Sequence, residues 1–315
     1  MPPDEIAIES SDCCGNGCAN CILDTPLINT RDARSKRSET YQNALLSYRK
    51  YKLLNRTVLS LKTLQLHFKL SANSSQNTLF LDIPPGHHIM MRAPNTEIKG
   101  SDTDYSGSFT ITRPYSPFWV DAEKLEFEIL VNLSPGGTMS RQIEKLNVGD
   151  LVEFRGPVGS FFHEPNAYEN LVIFTHGVAI APIIRVVDEI LGEESDMTKV
   201  ILFCCFTDLK RSLFREKLHE YNKFWNFEGD VYLSREKCDS CPKIEDASCW
   251  HFKKLLKYKE RVHPFRLTNY EIDRRLSTLN KKSCKIVICG SKAFEKYVKD
   301  TLNETEIVSE QIVVL

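Results

Sequence analysis

The chain has 315 residues, enough for two ordinary domains with a sizeable core, and its 42% hydrophobic and 26% charged content is that of a soluble globular protein. Its 41 basic and 42 acidic residues give a formal net charge of −1. That excludes a protein-wide positive field for nucleic acid, so any charged docking surface has to be local.

Residues 1–40 read as a separate segment. Cys13, Cys14, Cys18 and Cys21 are followed by a charged run over 31–39. Thiolates at this density suit zinc or another soft metal. Adjacent Cys13 and Cys14 do not easily face one tetrahedral centre, however, and no histidine supplements them, so redox or structural thiols remain the alternative. The opening Met1-Pro2-Pro3-Asp4-Glu5 lacks the basic and apolar regions of a signal peptide, and Pro2 stands where N-myristoylation requires glycine. With 11 cysteines and no such leader, the expectation is a reducing compartment, the cytoplasm, with membrane association only at the periphery through a partner.

Residues 41–165 change character. Strand-like stretches at 57–70, 78–83, 88–92, 108–112 and 125–132, separated by turn residues, predict a small antiparallel barrel. A short helix follows over 139–146, then a turn and strand over 148–154. Residues 166–315 alternate apolar strands (171–174, 200–205, 230–233 and 285–289) with helical segments such as 183–191 and 213–225. Alternation of that kind predicts a parallel sheet with covered faces, as in a Rossmann-like domain. The most apolar window, 171–187, contains Thr175, His176, Gly177, Pro182 and Arg185, so no transmembrane segment is expected. Cys238, Cys241 and Cys249 lack a convincing fourth ligand and read as a loop. The basic run Lys253, Lys254, Lys257, Lys259 and Arg261 reads as a solvated helix face, with docking of an acidic electron-transfer partner as the sharper alternative.

The chemistry concentrates in three short motifs. Arg113-Pro114-Tyr115-Ser116 supplies a guanidinium that forks onto phosphate, a ring and a hydroxyl. Gly136-Gly137-Thr138-Met139-Ser140 is a glycine turn leading into a helix, which offers backbone N–H groups to a pyrophosphate. Gly156-Pro157-Val158-Gly159 follows. In this order the motifs resemble the ferredoxin-reductase-type flavoproteins, and within them the NADH–cytochrome b5 reductases. The N-terminal cysteines resemble a small oxidoreductase-like segment, matched at Cys13, Cys14, Gly15, Gly17, Cys18, Cys21 and Asp24.

The resemblance implies a flavin-binding β-barrel followed by a Rossmann-like nucleotide domain. It also implies that hydride passes from NADH to FAD and single electrons go on to a haem acceptor such as cytochrome b5. Carried over residue by residue, Arg113, Pro114, Tyr115, Ser116 and Gly136 to Ser140 hold FAD, with Ser116 near the reacting nitrogen. Gly177, Pro182, Cys289 and Gly290 belong to the nicotinamide site, Cys289 lying beside the reacting carbon.

There are departures. Thr138 replaces the family's usual Lys, and Leu130 and Asn132 replace a Lys and a Tyr. Leu315 stands where a C-terminal aromatic covers the flavin, and Ser291-Lys292 replaces Pro-Pro. Val178-Ala179 interrupts the glycine-rich turn of His176 to Ile183, adding bulk where a dinucleotide approaches. These departures motivate the competing expectation, a reductase-derived flavin-binding or interaction protein with weakened or lost NADH turnover.

Overall fold

The computed structural model describes residues 8, 10–15, 21–24, 42–71, 79–94, 110–237 and 249–315. These fall into two compact units, Met1–Phe162 and His163–Leu315.

The first unit holds β1 (Gln42–Asn43), β2 (Arg49–Ser60), β3 (Thr63–Leu70), β4 (Leu79–Phe80), β5 (His88–Pro94), β6 (Thr110–Tyr115), β7 (Pro117–Asp121), β8 (Glu126–Asn132), α1 (Thr138–Glu144) and β9 (Leu151–Val158). Seven of these strands form one antiparallel sheet in the order β6-β5-β9-β2-β3-β8-β7, and β1 pairs with β4 in a separate ladder. Side chains alternate as a pleated strand requires. In β3, Leu64, Leu66, Phe68 and Leu70 are buried, while Thr63, Gln65, His67 and Lys69 are more exposed. The core closes on aromatic edges, with Phe68–Phe154 centroids 4.9 Å apart and Phe127–Phe154 centroids 5.0 Å apart. Each buried phenylalanine of this kind contributes roughly 1.5–3 kcal/mol.

The two edge strands, β6 and β7, are consecutive in the chain and joined by Ser116 alone. A sheet whose opposite edges meet across one residue has rolled up, so this is a barrel-like sheet whose ladder stays open at the Ser116 seam.

The strand expected over 57–70 is in fact two. β2 and β3 form a hairpin around Leu61-Lys62, with Leu61 94% exposed. No Gly, Pro, Asn or Asp marks that turn. It is held instead by the Ser60 hydroxyl, which accepts from the Lys62 N–H at 3.3 Å, a weaker local signal.

The second unit holds β10 (Asn170–His176), α2 (Ala181–Gly192), β11 (Lys199–Phe206), α3 (Arg215–Tyr221), β12 (Phe227–Leu233), α4 (Trp250–Lys253), β13 (Val262–His263), α5 (Asn269–Leu276), β14 (Cys284–Cys289), α6 (Lys292–Leu302) and β15 (Ile312–Val314). All six strands are parallel, in the order β13-β12-β11-β10-β14-β15. α2 buries Ile183, Ile184, Val186, Val187 and Ile190, a helical stripe. α3, expected over 213–225, starts only at Arg215, because Phe214 before it adopts φ 55° outside the right-handed helical region, and it ends at Tyr221. The antiparallel barrel followed by a parallel, Rossmann-like sheet is the expected fold class.

Candidate functional site

In the first unit, Arg113, Pro114 and Tyr115 lie on β6, opposite Met91, Met90 and Ile89 of β5. Pro114 has no N–H to give to a ladder, and an edge strand tolerates that. The Arg113 Nη1 donates to the carbonyls of Thr112 at 2.8 Å and Cys14 at 2.9 Å. A guanidinium carries several N–H donors, and these two bonds occupy a single nitrogen. Burial pushes the Tyr115 phenol upward, so at neutral pH it is an uncharged ring and O–H donor.

α1 packs against β6, bringing the second motif to the first. Gly136 has φ +75°, and a Cβ on Gly137 would stand 3.2 Å from both the Ser134 carbonyl oxygen and the Ser140 Oγ. Glycine is therefore favoured at 136 by backbone conformation and at 137 by crowding, and the start of α1 carries no capping side-chain bond. The Ser140 hydroxyl accepts from the Ser134 N–H at 2.9 Å and closes the turn. Met139 is buried in the barrel core, so what it offers a ligand is its main chain.

Arg141 escaped sequence reasoning. Its Nη1 donates to the Gly136 carbonyl at 2.8 Å and its Nη2 to the Thr138 hydroxyl at 3.4 Å. It thus restores a cation beside the turn where Thr138 stands in place of Lys, and the signal was its place directly after Ser140. A glycine turn at the start of α1, with the Arg113 guanidinium on β6 and the Arg141 guanidinium on α1, is chemically suited to the anionic pyrophosphate of FAD. Leu130 and Asn132 alternate with the core residues Ile129 and Val131 and so occupy the outward face of β8, Leu130 covered and Asn132 exposed.

The described N-terminal residues pack on this unit. The Arg155 Nη1 donates to the Asp12 Oδ2 at 2.6 Å, both side chains about 5% exposed or less. Cys14 and Ile22 pack with Met90 and Val158, and Ile8 lies against them. Cys14 therefore turns into an apolar cluster, while Cys13 and Cys21 bring their sulfurs to 3.5 Å. Among the described residues no three His, Cys, Asp or Glu side chains gather as a metal site. Cys18 lies outside the described residues, as do Cys238 and Cys241, while the Cys249 Sγ accepts from the Phe252 N–H at the start of α4. Much of the basic run is spoken for: Lys257 pairs with Glu216, Arg261 with Asp230 and Glu228, and Lys254 lies over the Trp250 ring.

In the second unit the chain runs from β10 outward through β11, β12 and β13, then returns to the other side of β10 as β14. The order of strands reverses between β10 and β14, and ligands of open parallel sheets bind beyond the carboxyl ends of such strands. His176 ends β10 with Gly177 next in the chain, and Cys289 ends β14 with Gly290 next, in a register that pairs Thr175 with Cys289. Gly177 has φ +62° and opens a 3-10 turn, Gly177–Ile180, that runs into α2, with Pro182 in the first turn of that helix. Val178 and Ala179 take ordinary helical φ in this turn. Replacing glycine there strains no backbone, and what Val178 and Ala179 add is side-chain bulk.

The His176 ring stacks on Phe294 at 5.3 Å, and a Cβ on Gly290 would come within 2.6 Å of the Phe294 ring, so glycine is required beneath it. Burial, and secondarily Arg266, lowers the His176 pKa and favours a neutral imidazole. The Cys289 thiol donates to the Leu315 carbonyl at 3.6 Å, and burial pushes it up to about 12. It is therefore expected to escape alkylation by iodoacetamide at pH 8 in the native protein and to react only after denaturation, as peptide mass mapping would report. Native-state labelling of Cys289 would contradict this.

The oxidoreductase FAD-binding domain family model matches residues 50–163. The chain also overlays on the cytochrome b5 reductase domain of Ulva prolifera nitrate reductase with a TM-score of 0.65 at 18% identity, covering 89% of this chain and 100% of that one. The fold is thus that of the ferredoxin-reductase type, and the matched FAD-binding domain supports an oxidoreductase. More particularly, the chain is similar along nearly its whole length to NADH-cytochrome b5 reductase-like of Homo sapiens, 27% identical over 302 residues, 91% of this chain and 86% of that one. Plasma membrane-associated coenzyme Q6 reductase of Saccharomyces cerevisiae is 31% identical over 168 residues, 53% of this chain and 49% of that one. No helix among the described residues is long and apolar enough to cross a membrane.

Proposed function

We propose that the protein oxidises NADH through FAD and delivers electrons singly to a haem-protein acceptor such as cytochrome b5, working in the cytoplasm or at a membrane periphery through that partner. The observation that supports this most directly is the packing of α1, which follows the Gly136-Gly137 turn, against β6, the strand that carries Arg113 and Tyr115. Bound FAD would supply two-electron uptake and one-electron release. Arg113 and the main chain of Gly137 to Ser140, helped by Arg141, hold its pyrophosphate. Tyr115 offers a neutral ring, and Ser116, at the open seam, presents a hydroxyl where no strand pairs.

NADH is proposed to enter at the reversal point of the parallel sheet, with Gly177 and Pro182 shaping the turn and Gly290 admitting the close approach. Cys289 stays a neutral thiol and packs beside the nicotinamide rather than acting as a base. Absorbance of the reconstituted protein near the bands of bound flavin, bleached by NADH without oxygen and restored by ferric cytochrome b5, tests the whole sequence. Bound flavin that NADH leaves oxidised would instead favour the second reading, a flavin-binding protein without turnover, which the bulk of Val178 and Ala179 supports.

Val178→Thr with Ala179→Gly is expected to tighten NADH several-fold, on the order of 1 kcal/mol, in a titration followed by flavin bleaching. Unchanged or weaker binding would refute the steric account.

A further inference from the structure

Cys13 and Cys21 face each other at 3.5 Å between sulfurs, and both are partly exposed. We infer that this pair is a reversible disulfide site, oxidised by exchange with a low-molecular-weight disulfide, and that its closure strengthens FAD binding through the Cys14 carbonyl held on Arg113. The inference rests on the reading that Arg113 binds the flavin pyrophosphate.

The pairing is selective. Cys14 is 8% exposed and packs with Ile22, Met90 and Val158, so of two adjacent cysteines only Cys13 is directed at Cys21. The Gly15 N–H donates to the Cys13 sulfur at 3.3 Å and fixes it in place. Bond formation needs an approach of about 1.5 Å from the 3.5 Å separation of the sulfurs. The exchange balances in two steps. A thiolate of the pair attacks one sulfur of the small disulfide, forming a mixed disulfide and expelling one small thiolate. The second cysteine thiolate then attacks the protein sulfur of that bond, closing Cys13–Cys21 and expelling the other. Two protons leave the protein and two small thiols are produced, and excess thiol reverses the sequence.

The coupling to flavin follows from the chain path. Asp12 is pinned to Arg155, Cys13 faces Cys21, and the carbonyl of Cys14, next in line, accepts from Arg113 at 2.9 Å. Covalent closure removes freedom from the loop that carries this carbonyl and so holds the guanidinium ready for a phosphate.

The full chain, treated either with excess thiol or with glutathione disulfide, would be mapped by mass spectrometry and titrated with FAD by fluorescence quenching. The expected result is a Cys13–Cys21 crosslink in the oxidised sample and an FAD dissociation constant lower by roughly 3- to 10-fold. Cys13→Ser and Cys21→Ser should each bind FAD like the thiol-treated protein and ignore the disulfide. The inference is overturned by equal affinities in the two states, by a crosslink between other cysteines, or by stoichiometric zinc that protects the pair. Equal FAD binding in both states would leave the flavin reading standing, whereas no FAD binding in either would remove that reading and the inference with it.

Discussion

Arg113→Ala is expected to weaken FAD binding by about 100-fold or more, so that the variant purifies without flavin and regains little on reconstitution. Charge-assisted hydrogen bonds from a forked guanidinium to phosphate contribute about 1.5–3 kcal/mol, and the lost cation adds to that. The fold should survive, because Arg113 lies on an edge strand and its protein partners are two carbonyls. Arg113→Lys keeps the charge without the fork and should fall between the two. Circular dichroism beside flavin absorbance separates the outcomes. A folded Arg113→Ala protein with full flavin content would exclude Arg113 as the phosphate ligand.

Asp12→Ala should have the largest effect on stability. It leaves the Arg155 guanidinium buried without its carboxylate, a loss of about 3–5 kcal/mol where the surroundings cannot relax. The Tyr48 phenol is pushed up to about 12 by burial and by the charge of Asp12, and Arg92 stacks on the Tyr48 ring at 3.7 Å, so the carboxylate sits in a linked set of groups. Urea unfolding should show a lowered midpoint, and the N-terminal segment should become more sensitive to protease. Adding Arg155→Met should recover much of the loss, since both charges are then gone. An unchanged midpoint for Asp12→Ala would mean that the ion pair contributes nothing to the docking of the segment.

Much of the fold could be read from the residues because its signals are local. The outward alternation of β3, the glycine turn before α1 and the apolar runs of β10, β11 and β14 each declare themselves within a few positions. β7 did not, since Pro117 and the exposed Trp119 disguise a short edge strand. The hairpin at Leu61-Lys62 was hidden by a turn without turn residues. Within the site, Arg113 to Ser116 and Gly136 to Ser140 stood out by motif. The role of Arg141 depends on a side chain folding back over its own helix start. The packing of the cysteine segment was beyond any window, because Asp12 and Arg155 are 143 positions apart and no periodicity links them. The reversal between β10 and β14 likewise belongs to strand order, which alternation of strands and helices does not specify.

That separation sets an order of events during synthesis. The cysteine segment leaves the ribosome before the strands it packs on, since its seat is made of Met90 on β5 and Arg155 and Val158 on β9. The seat exists only after β9 has paired with β5, when the first unit is otherwise complete. Cys13, Cys14 and Cys21 are therefore translated before their seat and have nothing to dock on until β5 and β9 have paired. Whatever enzyme or metal meets nascent chains has access to Cys13 and Cys21 before the surface that later holds them has formed.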